Sequence, residues 1–431
     1  MCSKILIKDA VIITMNDSNE VYECGDILIE NDIIKSVGRS ISDEANNAKI
    51  LPGQGKVVIP GLINVHNHAA MSLFRSYADD YPLMAWLEQK IFPAEANLTP
   101  EDVYWGASLA LMEMIRGGTT TYVDMYFFMD QTAQACCESG MRAVLSQVFI
   151  GDNAVKGFNS LTDAIDFAGS WQNSGNGRIS TILGPHAPYT CSPDFLKQVL
   201  RKTEDSDTPI HIHLSESRQE VQQSLEIYKK TPVALMQEVG LFTRDVLAAH
   251  CVHVTDEDID ILVDNQVGIA HNPGSNLKLG SGIAPLKKML DKGARIGLGT
   301  DGAASNNNLD MFEEIRLASL LQKGTNEDPT FVTAREALGL ATRGSAAALK
   351  KDNLGILKAG AKADIAILNF DQPHLQPHNN ALANIVYSAC AGDVDTVIVD
   401  GKVLFENGKF LTLDQEKIYY EVKWRAKRLR Q

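Results

Sequence analysis

Short apolar runs recur through the middle of the chain, each about the length of a β-strand. A longer polar or amphipathic stretch follows each one. The runs lie at residues 61–65, 119–124, 142–149, 180–184, 209–214, 246–249, 267–270 and 294–299. Runs of four to eight apolar residues bounded by turn formers are strand signals. The stretches at 101–116, 192–203, 231–239, 256–264 and 285–292 read as helices instead. Strand alternating with helix predicts a parallel α/β fold, and eight such units predict a closed (β/α)8 barrel of the TIM type.

The ends of the chain are patterned differently. Residues 5–9, 11–15, 26–30, 33–38 and 57–59, and again 364–369, 396–399 and 403–406, are short strands separated by turn residues such as Asp400-Gly401. That is hairpin patterning. The expectation is a small β-sandwich built by both ends, residues 1–58 and 361–431, beside a barrel over 59–360. The last segment, 414–430, reads as a helix.

Polar residues punctuate the barrel runs with regularity. His66, His186, His213, His250, His271 and Asp301 each close one. In such barrels the chemistry sits at the carboxyl ends of the strands. Residues 61–68 read Gly-Leu-Ile-Asn-Val-His-Asn-His. Side chains on a strand alternate faces, so His66 and His68 point the same way and can converge on one ion. His213 from strand five and Asp301 from strand eight complete a shell of three imidazoles and one carboxylate. That donor set suits Zn²⁺, with Fe²⁺ or Mn²⁺ as alternatives, and leaves a position for water. Any one of the four reads equally well as a satisfied polar residue at a barrel rim. All four in this register point to a metal.

Glu216 lies three residues beyond His213, past the strand end. Beside a metal it can move a proton between water and a substrate nitrogen; alone it reads as a helix-start carboxylate complementing the dipole. His250 can orient the attacking water or be a satisfied core histidine, and both readings stand. His211 is expected one layer deeper than His213, in a structural role. His253 and His271 receive no role. His374 and His378 fall in a Pro-containing loop expected to be exposed.

Composition excludes several function classes. Net charge is −14, which argues against a general nucleic-acid or anionic-membrane surface. The basic cluster at 423–430 sits near a helix C-terminus, where the macrodipole explains it. Seven cysteines without framework spacing read as free thiols of a cytoplasmic protein. No segment has the roughly 18 apolar residues of a membrane span. Leu279-Gly-Ser-Gly lacks the Lys-Ser/Thr of a phosphate-binding loop.

Several motifs together carry a resemblance. Pro60 to His68, His211-Ile-His213-Leu-Ser-Glu216, Ala249-His250 and Gly299-Thr-Asp301 resemble the amidohydrolase superfamily over almost the whole chain. Met71-Ser-Leu-Phe-Arg75, Trp86-Leu-Glu88, Gly184 to Cys191, His271 to Gly282 and Ala304 to Glu314 resemble its 5′-methylthioadenosine/S-adenosylhomocysteine deaminases. The resemblance implies one divalent metal ion, on His66, His68, His213 and Asp301. It implies Glu216 as proton shuttle, and His250 and Asp301 as partners of the attacking water. It also implies Glu95 on the ribose hydroxyls and His186 on the purine. The implied activity is hydrolytic deamination of adenine nucleosides to inosine analogues and ammonia. The implied partner is a small-molecule nucleoside, and a homo-oligomer is in keeping with the family. One departure is Gln147, where the family carries an Arg that contacts the ribose or the 5′ substituent. The expectation is that 5′-methylthioadenosine or adenosine is handled at least as well as S-adenosylhomocysteine.

The alternatives are another aminated heterocycle, such as guanine or a triazine, and a non-catalytic scaffold. A binuclear hydrolase of the dihydropyrimidinase type needs a carboxylated Lys at the end of strand four, where this chain has His186. A scaffold would have lost ligands, and none is missing.

Overall fold

A computed structural model describes residues 4–41, 45–151 and 160–430. The amino-terminal strands are β1 (Lys4–Ile13), β2 (Val21–Glu30), β3 (Ile33–Gly38), β4 (Lys49–Pro52) and β5 (Lys56–Pro60). The central strands are β6 (Leu62–Asn67), β7 (Thr119–Tyr126), β8 (Arg142–Phe149), β9 (Ile179–Thr181), β10 (Gly184–Pro185), β11 (Ile210–Leu214), β12 (Val246–His250), β13 (Gly268–His271) and β14 (Arg295–Leu298). The carboxyl-terminal strands are β15 (Ile365–Asn369), β16 (Val394–Val399), β17 (Lys402–Glu406) and β18 (Lys409–Phe410).

The central strands form two parallel sheets. One has five strands, β6 to β10, and the other runs β11-β12-β13-β14. Backbone bonds join their edges. His211 N donates to Leu183 O at 2.8 Å and His213 N to His186 O at 3.0 Å on one side, and Asp301 N donates to His66 O at 3.0 Å on the other. The strands are buried on both faces, as sheets covered by helices must be.

Helices fall where amphipathic spacing predicts them, at Pro100–Arg116, Pro193–Lys202, Pro232–Val239 and Asp256–Asp264. Their starts are set by caps. Thr99, Ser192, Thr231 and Thr255 each accept a hydrogen bond from the backbone three residues on, and three of the four precede a Pro at the first helical position.

Strands from both ends share one nine-stranded sheet, in which β15 pairs antiparallel with β5. The runs expected at 5–9 and 11–15 are one strand, β1, interrupted rather than ended. The polar Asp9 takes a left-handed φ of 58° and its N–H donates to Asp26 Oδ1 at 3.0 Å, which bulges the ladder. The β16–β17 hairpin turns on Asp400 (φ 52°) and Gly401 (φ 72°). A side chain at Gly401 would strike Asn31 O, so only glycine fits. A buried ion pair ties this sheet to β8: Arg142 donates to Asp364 at 2.7 and 3.1 Å and to Asp400 at 2.9 Å. The terminal helix, Gln415–Leu429, docks on Pro100–Arg116 through Arg425 to Asp102 at 3.1 Å and Arg428 to the same carboxylate.

Candidate active site

The polar residues at the carboxyl ends of the central strands converge. His66 is on β6 and His68 just beyond it; His213 is on β11, His250 ends β12, and Asp301 follows β14. His68 Nε2 is 3.2 Å and His66 Nε2 3.5 Å from Asp301 Oδ1. His213 Nε2 is 3.3 Å from His68 Nε2. The structure therefore brings together the four groups predicted as a metal shell.

The outer nitrogens fix the inner ones. His68 Nδ1 donates to Met125 O at 2.6 Å, and His213 Nδ1 to His186 O at 2.7 Å. A carbonyl only accepts, so each Nδ1 carries the hydrogen and each Nε2 faces inward, where it offers a lone pair whenever its ring is neutral. Two lone pairs facing at 3.3 Å, beside a carboxylate, call for a cation between them. His66 Nε2 is buried with no hydrogen-bond partner of its own, while its Nδ1 meets His211 Nε2 at 2.9 Å. Burial lowers His66 to about 4. Burial works against charge on His68 too, but the Asp301 carboxylate overrides it and lifts that ring to about 9. The cluster thus draws positive charge, and its donor atoms could hold a metal ion. Asp301 is aimed by a left-handed backbone (φ 60°), by Ser275 Oγ at 2.6 Å on Oδ2, and by Gly302 N at 2.8 Å on Oδ1.

Beside the cluster lie Glu216 and His250. Glu216 follows β11, is 5% exposed, and sits 3.9 Å from His250 Nε2; Ser281 Oγ donates to it at 3.3 Å. Burial pushes the Glu216 carboxyl above its ordinary value. His250, at φ 75°, is held through Nδ1 by Asn276 Oδ1 at 2.9 Å. Glu216 and His250 line one cavity together with His68, His213 and Asp301.

Glu95 lines the same cavity, at the end of the short helix Phe92–Glu95. Its carboxylate accepts from Tyr126 OH at 2.7 Å, and burial raises it to about 7. His186 also lines the cavity, with Nδ1 2.9 Å from Thr190 Oγ1; burial holds it down to about 3, a neutral ring. Gln147, where the family carries an Arg, lies on β8. It is buried and accepts from Met129 N at 3.3 Å, and from this strand it is Val148 that lines the cavity. A strand alternates faces, so one residue's difference turns a side chain away. His374 and His378 are exposed and lie outside the cluster. All six cysteines among the described residues are free.

Sequence reasoning gave no role to Tyr126, whose single hydroxyl carries no spacing signal, or to Ser275, Asn276 and Ser281, although these three fall within the His271–Gly282 motif. Their contacts with Glu95, Asp301, His250 and Glu216 mark them.

This geometry is that of a metal-binding hydrolase. Residues 57–404 match the model of the amidohydrolase family, and the chain belongs to that family. Over 426 residues it is 51% identical to a 5-methylthioadenosine/S-adenosylhomocysteine deaminase of Dictyoglomus turgidum, covering 98% of both chains. Among solved structures it resembles an adenosine deaminase from Xanthomonas campestris with bound zinc, at 32% identity and TM-score 0.94 over 99% of each chain. It also resembles an atrazine chlorohydrolase from Arthrobacter aurescens complexed with zinc, at 26% identity and TM-score 0.91 over 98% of this chain and 100% of that one.

Proposed function

We propose that this protein is a metal-dependent aminohydrolase that converts adenine nucleosides (5′-methylthioadenosine, S-adenosylhomocysteine and adenosine) to the inosine analogue and ammonia. The observation that carries the reading is one cavity holding Glu216 at the metal cluster and a second buried carboxylate, Glu95, apart from it. The first is suited to proton transfer, and the second to a pair of ribose hydroxyls. His66, His68, His213 and Asp301 would hold one divalent ion, zinc first among the candidates. When bound, such an ion supplies a water acidic enough to act as a nucleophile at neutral pH.

The side chains account for the rest. Glu216 accepts the proton of the attacking water and donates it to ring N1, so that C6 is electrophilic when oxygen adds. His250 and Asp301 hydrogen-bond the attacking oxygen and set its approach. The neutral His186 contacts the purine without placing charge beside it. A tetrahedral C6 forms, the amino group takes the second proton of the water, and the C6–N bond breaks to release ammonia.

The same reading takes the two parallel sheets as one closed (β/α)8 barrel over residues 59–360, and the sheet of both ends, 1–58 and 361–431, as its β-sandwich. No described helix is long and apolar enough to cross a membrane, and the reading assigns the protein to the cytoplasm. A panel of adenosine, 5′-methylthioadenosine, S-adenosylhomocysteine, guanine and a chloro-triazine, followed by ammonia and chloride release, tests it. Ammonia from the three nucleosides is expected. Turnover confined to guanine or the triazine would refute the nucleoside assignment.

A further inference from the structure

Glu220 is a buried carboxylate that touches neither the metal cluster nor the substrate cavity; it faces a separate cavity, with Tyr189 lining both. It sits in the first turn of the helix Arg218–Tyr228, which Ser217 caps by accepting from Glu220 N at 3.2 Å. Spacing of this kind usually sends the carboxylate back to the cap residue's own N–H. Here it reaches further. Oε1 accepts from Ser215 N and Oε2 from Glu216 N, both at 2.8 Å.

Those two N–H groups belong to the turn that aims Glu216. Ser215 has a φ of 53°, a left-handed conformation that a non-glycine residue holds only when its surroundings impose it. Its carbonyl is pinned from the far side by Val252 N at 3.0 Å and His253 N at 2.9 Å. Both sides of the Ser215 backbone are therefore clamped, one by the segment after β12 and the other by Glu220 alone.

We propose that Glu220 is a positioning residue for the reaction. By gripping two successive N–H groups with its two oxygens, it holds the Ser215–Glu216 turn that delivers the Glu216 carboxylate to the cluster. The proposal rests on the deaminase reading for its kinetic consequence, but not for its geometric one. Reach and acceptor number both matter. Glutamine keeps one acceptor and turns an NH₂ against an N–H. Aspartate keeps the charge but is one carbon too short for both contacts.

Turnover of 5′-methylthioadenosine by ammonia release is measured for wild type, Glu220→Gln, Glu220→Asp, Glu216→Gln and the double variant Glu216→Gln/Glu220→Gln. Each Glu220 variant should lose about 30- to 100-fold in kcat, the scale of an ångström-sized misplacement. KM should stay within about threefold and bound metal should be unchanged. In the Glu216→Gln background, Glu220→Gln should cost less than about twofold more, because its effect passes through Glu216. Losses that multiply in the double variant, or near wild-type kcat in Glu220→Asp, would overturn the proposal. A crystal structure of Glu220→Asp, the variant less prone to misfold, gives a second readout. The Glu216 carboxylate should be displaced by about 1 Å with His66, His68, His213 and Asp301 in place. An unmoved carboxylate refutes the role. A wild type that releases no ammonia from any adenine nucleoside defeats the deaminase reading alone, and the crystal structure still decides the role of Glu220.

Discussion

Replacing Glu95 with Ala should erase the protein's preference for ribose. Glu95 is buried, and its carboxylate accepts from Tyr126 OH, at 2.7 Å on Oε1. A carboxylate has about four lone-pair sites, so room remains for both ribose hydroxyls. Hydrogen bonds to a charged group contribute roughly 1.5–3 kcal/mol each. Two at the low end give about 3 kcal/mol, or a little over a hundredfold in kcat/KM. The assay is ammonia release from adenosine and from 2′,3′-dideoxyadenosine at about pH 8.5, where a carboxyl raised to about 7 is ionised. Wild type should favour the ribonucleoside by about a hundredfold, and Glu95→Ala should bring the ratio near one. The Tyr126 hydroxyl loses its partner in that variant, so a modest fall in Tm is expected, and Glu95→Gln, which can still accept from Tyr126, serves as the stability control. A wild type indifferent to the hydroxyls, or a Glu95→Ala variant that keeps the preference, would refute the assignment.

Other expectations follow from the same contacts. The adenosine-to-dideoxyadenosine ratio should fall as pH drops through about 7, because Glu95 is protonated below that value and its charge-assisted bonds weaken, while effects at Glu216 cancel in the ratio. A ratio flat from pH 8.5 to pH 6 would contradict this. Glu216→Gln should keep its metal and lose at least about 100-fold in kcat, and near wild-type turnover would assign the proton to another group. Arg142→Ala leaves the buried Asp364 without its ion-pair partner, while Asp400 keeps Lys362 at 3.5 Å, and it should lower stability by about 3–5 kcal/mol in denaturant unfolding, with turnover of the remaining folded enzyme little changed. Gln147→Arg should leave nucleoside preference within about threefold if the side chain stays turned to Met129, and a larger shift toward S-adenosylhomocysteine would show that arginine reaches the cavity from this strand.

Much of this architecture is legible in the order of residues. The run at 142–149 is β8 residue for residue, carried by the apolar Ala143–Leu145 and Val148–Phe149 around the polar Ser146 and Gln147. The run at 180–184 breaks into two strands, β9 and β10, with Ile182 and Leu183 between them. The parallel strand Lys49–Pro52 escaped notice because parallel pairing with β1 leaves no hairpin signature. In the site, the histidines were legible because a strand imposes period two and parallel strands end on the same side of a sheet. Glu95 was legible only through resemblance: a Glu in a helical stretch is usually solvated, and nothing local announces that this turn faces inward. At Gln147 the family position names a contact for an arginine, and the glutamine here accepts from Met129 N instead. Glu220 carries a helix-start spacing, but not the fact that its grip lands on the residues before the cap.

The central claim is tested most directly by the products of 5′-methylthioadenosine turnover on purified, metal-loaded protein. The account predicts one ammonia per nucleoside consumed and 5′-methylthioinosine with the base–sugar bond intact. Free adenine, or unchanged nucleoside with no ammonia, would contradict it.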